Sequence, residues 1–430
     1  MSHKKLDLSA KTALDRAPSL DNPILLPAGD YSARYVLAYA PEKLISSSIS
    51  GITQWQEHIG GRRPYNTQEN VDASTDDYQR TFRSGWAGVF HYPSAAGQTT
   101  KADHRHQPKG VMAYYNCSLL LDIDSDEVWL QNPKRLSDQQ TSLWLEQLLT
   151  AQPVNTAPQK QEWSALWNQA DYTRAFNQVQ NYLNSGDCYQ INLTLPFHCR
   201  NDLTEKSPYP LIKQFRPAFG GYMKTKGLTL FSVSPERFIQ IDGDRIETKP
   251  IKGTLPRGTT SELDRKLMQQ LAASNKNKAE NLMIVDLLRN DLSRSAEPHS
   301  VTVEKLFELE SHANVHHLVS TISARKSADK SHLDVILDAF PGGSITGAPK
   351  KRAMEIIEEL EIKPRGLYCG SLGYFDDAGH SDFNILIRSI VATKEGAECW
   401  GGGGVTVDST ADDEYQEIMD KVGKILATPL

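Results

Sequence analysis

Alternating and helical spacings of apolar residues divide this chain into a β-rich front, a proline-containing junction and a mixed back. The apolar runs at 24–26, 31–39, 85–92 and 111–130 are rich in branched and aromatic residues and bounded by Gly, Pro, Asn and Asp, which predicts strands. Residues 46–84 are polar and mixed, with no dominant period. Residues 134–151 carry Leu136, Leu143, Leu145 and Leu148 as a partial stripe, which predicts a helix. The following stretch, 152–161, with two prolines, reads as a linker. A boundary placed there separates an N-terminal β-rich subdomain, 1–151, from a C-terminal subdomain, 162–430.

The back part opens with a helix capped by Asp171, buried through Tyr172, Phe176, Val179 and Leu183 and stopped at Gly186. A strand follows over 188–199. Two short runs, 237–241 and 245–248, flank Asp242-Gly243, a strong hairpin signal. Residues 261–294 have helical period with a break near Ser274-Asn275, and 315–324 read as a strand. A glycine-rich loop, 340–350, leads into a helix over 351–360, with Pro349 suited to its first turn. A run of four glycines, 401–404, enters a strand, and Ser409 is placed to cap a last helix, 411–426, with Tyr415, Ile418, Val422 and Ile425 as its buried stripe. Strands and helices mixed in this way predict an α+β fold.

Composition narrows the function. At 430 residues and 39% hydrophobic, the chain can bury a large core. Its net charge of -6 lacks the basic excess expected for nucleic acid or anionic lipid, so neither is an expected partner. The five cysteines are widely spaced and never form Cys-x-x-Cys, which argues against a disulfide scaffold or a zinc site and for a reducing cytoplasm. No window is apolar enough to cross a bilayer, and the start shows no signal core.

Three groups of residues carry candidate chemistry. Glu236 and Lys252 lie at the outer ends of the hairpin, where a carboxylate and an amine could meet over one pocket; solvated turn charges fit the same residues. Glu280 shares a helix face with Ile284, Leu287 and Asp291, pointing where side chains are being buried, or else it pairs with Lys276 on the flank. Glu414, Glu417 and Lys421 run along one edge of the last helix. With Glu280, the two glutamates would make an oxygen-only site suited to Mg²⁺; a solvated Glu-to-Lys flank is the alternative. The adjacent His316 and His317 must face opposite ways on a strand, so at most one enters a given pocket. The glycine loop offers backbone N–H groups to an anion but is no P-loop, because Ala-Pro-Lys follows Gly347.

Taken in order, SGDCYQINL (185–193), SPERF, PIKGT, AENLMIVDLLRNDLSR (279–294), VHHLVS, FPGGSITGAPK, IRS (387–389), GGGG and a final ExxExxxK resemble the chorismate-utilising enzymes. The ordered set spans 185–421 and is far more specific than any one motif. The resemblance implies a large two-layer β-sheet sandwich core flanked by helices. The lysine of PIKGT stands where anthranilate synthase has alanine, which points to the branch that adds an amino group and keeps the pyruvyl side chain.

The resemblance further implies that Lys252 adds at ring carbon 2 of chorismate while the hydroxyl leaves carbon 4, and that ammonia then attacks carbon 4 and expels the lysine. The attacking amine must be neutral, so partial desolvation of Lys252 is expected. Glu236 would protonate the departing hydroxyl, with His317 near the same ring carbon. Gln190 stands where isochorismate-forming relatives have a lysine base. The pattern puts Mg²⁺ on Glu280, Glu417 and Glu414, and the ring carboxylate near it with Gly402, Gly403, Gly404 and Lys421. Arg388 and Tyr368 would hold the enolpyruvyl carboxylate, and Ser344 and Thr346 would line the pocket. Cys188 in GDCYQ lacks the trailing glycine of a nucleophile turn, so ammonia is expected from a separate glutamine amidotransferase subunit in a transient heterodimer. Relatives that bind tryptophan carry a Leu-Leu-Glu-Ser-like segment; here residues 25–29 read Leu-Leu-Pro-Ala-Gly, and no tryptophan site is inferred. An anthranilate-forming enzyme and a non-catalytic regulatory subunit are the competing readings.

Overall fold

The protein is described by a computed structural model over residues 4–29, 33–47, 55–60, 81–93, 109–131, 136–154, 159–311 and 315–430. Most of 46–84, part of the strand expected at 31–39 and the middle of the expected linker lie outside the described residues.

Apolar alternation along the strands builds two antiparallel sheets. The first runs in space through Lys4–Lys5, Glu127–Gln131, Ser118–Asp122, Arg34–Ala38, Ile24–Pro27, Gly221–Thr225, Leu228–Ser232, Ser389–Thr393, Gly396–Val405, Gln190–Cys199 and Gly347–Ala348. The second runs through Ile251–Pro256, Val315–Arg325, Arg245–Thr248, Arg237–Asp242, His380–Asn384, Ser371–Asp376, Gly85–Phe90, Gly110–Tyr115 and Lys43–Ser47. Between them, Ile24, Leu26, Val36, Met223 and Leu230 of the first meet Ala87, Val89, Ala113, Leu372 and Tyr374 of the second in one buried cluster. The outer face of the first sheet is covered by helices Gln169–Asn184, Lys350–Leu360 and Ala411–Leu426, and that of the second by Asn275–Ser293 and His332–Ala339. The fold is therefore α+β, a two-layer sheet core flanked by helices. Both sheets mix strands from before and after 152–161, so the two sequence parts share their layers. Among the described residues no helix is long and apolar enough to cross a membrane.

Local chemistry accounts for most element ends and corrects several expectations. The first helix of the back part, Gln169–Asn184, is capped by Asn168; Asp171 is the reciprocal partner three residues on, closing a capping box. In Asp138–Thr150 the buried residues are Thr141, Trp144 and Leu148, while Leu143 is exposed, because Trp144 stacks on Tyr39 at a centroid distance of 4.0 Å. Ser274 ends helix Ser261–Ala273 and caps helix Asn275–Ser293, so the expected break sits on one residue. The hairpin closes one residue later than expected: Asp242 pairs with Arg245, and the turn is Gly243-Asp244 with Gly243 at φ 61°. The last helix is capped by Thr410 rather than Ser409.

Candidate active site

Strand alternation aims the first residues of the site. Along Gln190–Cys199, Ile191, Leu193, Leu195 and Phe197 pack against the helices, which sends Gln190, Asn192 and Thr194 to the opposite face. The neighbouring strand carries the glycine run and pairs Asn192 with Gly404 and Thr194 with Gly402. On its other side, Ser389–Thr393 stays in register only as far as Ile390 with Cys399, so one edge of the run has no strand partner among the described residues. There the chain kinks: Arg388 sits at φ 50° and Cys369 at φ 63°, unusual values for non-glycine residues. Tyr368 stacks on Trp400 with centroids 5.4 Å apart.

Lys252 reaches the same place by a break in register. Residues 251–256 pair with 315–325, but Ile251 lies opposite Val319 and Thr254 opposite His317, so this strand carries an extra residue. A bulge of this kind re-aims a side chain. Gly253 permits it, at φ 87°, and a Cβ there would stand 2.8 Å from the Asn277 amide and from Leu271. Glu236, one residue ahead of the hairpin strand Arg237–Asp242, is buried; its Oε1 accepts from the Ser344 hydroxyl at 2.7 Å.

These segments enclose a cavity of about 550 Å³ lined by Glu236, Lys252, Glu280, His317, Ser344, Tyr368, Arg388, Gly402–Gly404, Glu414, Glu417 and Lys421. Thirteen of the fifteen residues expected at the site thus share one cavity; Gln190 and Thr346 lie behind its wall. Thr346 spends its hydroxyl on the carbonyls of Gly342 and Gly343. Gln190 is 1% exposed beneath Gly404, and both atoms of its amide lack a hydrogen-bond partner. His317 bonds Thr254 Oγ1 through Nδ1 at 2.9 Å, whereas His316 faces away to Ser311 and Asp264. Sequence reasoning missed Asn192, Lys276, Trp400 and Asp420 as lining residues. For Asn192 a signal was present: polar residues at 190, 192 and 194 alternate with apolar ones, marking a polar strand face.

Charge is concentrated at this cavity. Burial pushes Glu236 above the ordinary carboxylate range, opposed by Lys252, the Ser344 hydrogen bond, Lys421 and Arg388. Burial also raises Glu280 and Glu414. For Glu417 burial acts in the same sense, but Lys421, paired with it at 2.5 Å, outweighs it and the group is lowered. Glu414 Oε1 accepts from Ser409, which explains why Ser409 does not cap the helix; Lys276 stands 4.0 Å from Glu280. Among the described residues no three histidine, cysteine or carboxylate side chains converge on one point. The three glutamates nonetheless present oxygen donors along one wall, and two are held toward the protonated form by burial. Crowded carboxylates of this kind fit a hard divalent cation.

Gly404 is a site where close packing decides. A Cβ there would lie 2.4 Å from the buried Gln190 amide. Gly404→Ala is expected to cost about 1–3 kcal/mol, read as a lower urea midpoint at unchanged slope.

Residues 24–427 match the family described as chorismate binding enzyme. The chain belongs to the chorismate-binding enzymes. Among curated members of that family, it is 42% identical over 328 residues to aminodeoxychorismate synthase component 1 of Salmonella typhimurium, covering 75% of this chain and 67% of the relative. It is 40% identical over 350 residues to the protein of the same name from Escherichia coli, covering 80% and 77%. Among solved structures, anthranilate synthase component I from Streptococcus pneumoniae superimposes with a TM-score of 0.74 at 23% identity, over 91% of this chain and 92% of that one. The menaquinone-specific isochorismate synthase of Escherichia coli does so with a TM-score of 0.70 at 15% identity, over 99% and 94%. The sheet sandwich described above is thus the fold of chorismate-binding enzymes.

Proposed function

We propose that this chain aminates chorismate with ammonia to 4-amino-4-deoxychorismate, the step that leads to para-aminobenzoate and folate, by way of a covalent bond to Lys252. The observation that carries the reading is the bulge that turns Lys252 into the cavity that Glu236 and the acidic wall share. The relatives named aminodeoxychorismate synthase component 1 support it.

Each residue then has a task its surroundings suit. Arg388 and Tyr368 hold the enolpyruvyl carboxylate. Lys421, already bonded to the Gly402 carbonyl at 2.9 Å, and the outward N–H groups of Gly402 and Gly404 receive the ring carboxylate, while Gly403 leaves the space open. Lys252 attacks carbon 2 as a neutral amine, the ring double bonds shift, and the hydroxyl leaves carbon 4 with the proton of Glu236. Ammonia then adds at carbon 4 and the Lys252 amine departs, which restores the original double bonds. His317 moves protons at the same end of the ring.

Mg²⁺ held by Glu280, Glu414 and Glu417 would supply an anchor for a substrate carboxylate. The relatives' name, component 1, supports a second subunit; a glutamine amidotransferase delivering ammonia in a transient heterodimer in the cytoplasm would fill that place.

Incubation with chorismate, ammonia and Mg²⁺ tests the proposal. The expected product yields para-aminobenzoate only after a separate lyase is added. Fluorescent anthranilate formed directly would favour the anthranilate-forming alternative, against which Lys252 counts. A regulatory subunit would turn over nothing, and would have no use for Lys252, Glu236 and three glutamates in one cavity.

A further inference from the structure

Ser409 stands where a helix cap is expected, yet Thr410 caps Ala411–Leu426 and the Ser409 hydroxyl donates instead to Glu414 Oε1 at 2.7 Å. The surrounding turn holds it in place to do so. Its N–H donates to the Thr406 carbonyl, and its Oγ accepts from the Thr406 N–H, both at 3.1 Å. Gln180, from helix Gln169–Asn184, donates to the carbonyl of Thr406 at 2.8 Å and to that of Ser409 at 3.3 Å. The turn is therefore tied to an element outside the last helix. With Oε1 engaged, the Glu414 carboxylate has one oxygen left. Oε2 has no hydrogen-bond partner among the described residues, yet it keeps exposed surface. It lies beside Gly403, where a Cβ would stand 2.6 Å from it. Glu414 lines the cavity and Ser409 does not, so the hydroxyl grips the carboxylate from outside. A hydrogen bond of this kind to a ligating carboxylate fixes which oxygen meets the ion.

We propose that Ser409 is a positioning residue for the divalent cation, engaging Oε1 of Glu414 so that Oε2 is presented as an oxygen ligand. The inference rests on the proposed function, in which Glu414 is one of the three glutamates that hold Mg²⁺. A hydroxyl suits the task because it donates to the carboxylate without bringing a positive charge that would compete with the ion. The tie through Gln180 adds rigidity: the donor is placed by a second helix and does not move with the carboxylate it orients.

Mn²⁺ serves as the probe in the test. The electron paramagnetic resonance signal of the free ion is lost on binding, so affinity is read on the full chain without turnover. Ser409→Ala is expected to bind Mn²⁺ about tenfold or more weakly than the parent. Ser409→Thr keeps the hydroxyl and should bind as the parent does. In a Glu414→Gln background, Ser409→Ala should weaken binding no further, because the two residues act as one unit. Melting without metal identifies a folding defect; if Ser409→Ala does not fold, Ser409→Cys, a weak donor of similar size, replaces it and should weaken Mn²⁺ binding in the same direction. A folded Ser409→Ala or Ser409→Cys with the parent's Mn²⁺ affinity would overturn the proposal. So would the same further loss on adding Ser409→Ala to Glu414→Gln. A parent protein that binds no Mn²⁺ and aminates no chorismate would instead sink the proposed function, and this inference with it.

Discussion

Lys252→Ala is expected to reduce amination by roughly a thousandfold or more, because the amine that the bulge turns into the cavity supplies the covalent attack on the ring. Chorismate affinity should change little, since Arg388, Tyr368, Lys421 and the glycine run remain in place. The two quantities are separable: turnover with ammonia and an added lyase reads the first, and equilibrium calorimetry with chorismate and Mg²⁺ reads the second. In the parent protein, chorismate and Mg²⁺ without ammonia should leave an adduct on the peptide containing Lys252, detected by mass spectrometry and missing from the alanine variant. Undiminished turnover in that variant would remove the covalent step.

Loss of the proton donor is the second large effect. Glu236→Gln should lower kcat by about 10²- to 10⁴-fold, the usual range for a positioned general acid. The pH dependence carries more information than the magnitude. Burial raises Glu236, so its acid form persists to higher pH than a free glutamic acid. A donor must be protonated, hence kcat/KM should fall as pH rises through that raised value, and this limb should be missing from the Glu236→Gln variant. Ser344 donates to the carboxylate and favours its charged form. Ser344→Ala should therefore raise Glu236 further and move the same limb to higher pH. A limb that moves to lower pH, or that persists in Glu236→Gln, would assign the donor elsewhere.

How much of this was legible depended on the range over which each feature is decided. The helix break at Ser274, the hairpin between 237 and 248 and the buried stripe of the last helix follow from capping, turn chemistry and period, all settled within a few residues. The caps expected at Asp171 and Ser409 fall on nearby polar residues: Asn168, three residues before Asp171, accepts from the Asp171 N–H, and Thr410, next to Ser409, accepts from the Asp413 N–H. Ser409 was lost as a cap because Glu414, five residues on, claims its hydroxyl. Trp144 replaced Leu143 on the buried face because Tyr39, 105 residues away, offers a ring to stack on.

The residue types at 236, 252, 280, 414 and 417, and the order of motifs around them, stand in the chain as written, and with them the family and the class of chemistry. Their meeting in one cavity depends on features without a local signature. A one-residue bulge turns Lys252, a strand that stops at Ser389 opens the glycine edge, and two left-handed residues carry Arg388 and Tyr368 inward. Those depend on pairings between strands far apart in the chain, whose register is set by the packing of both sheets and not by any neighbouring residue.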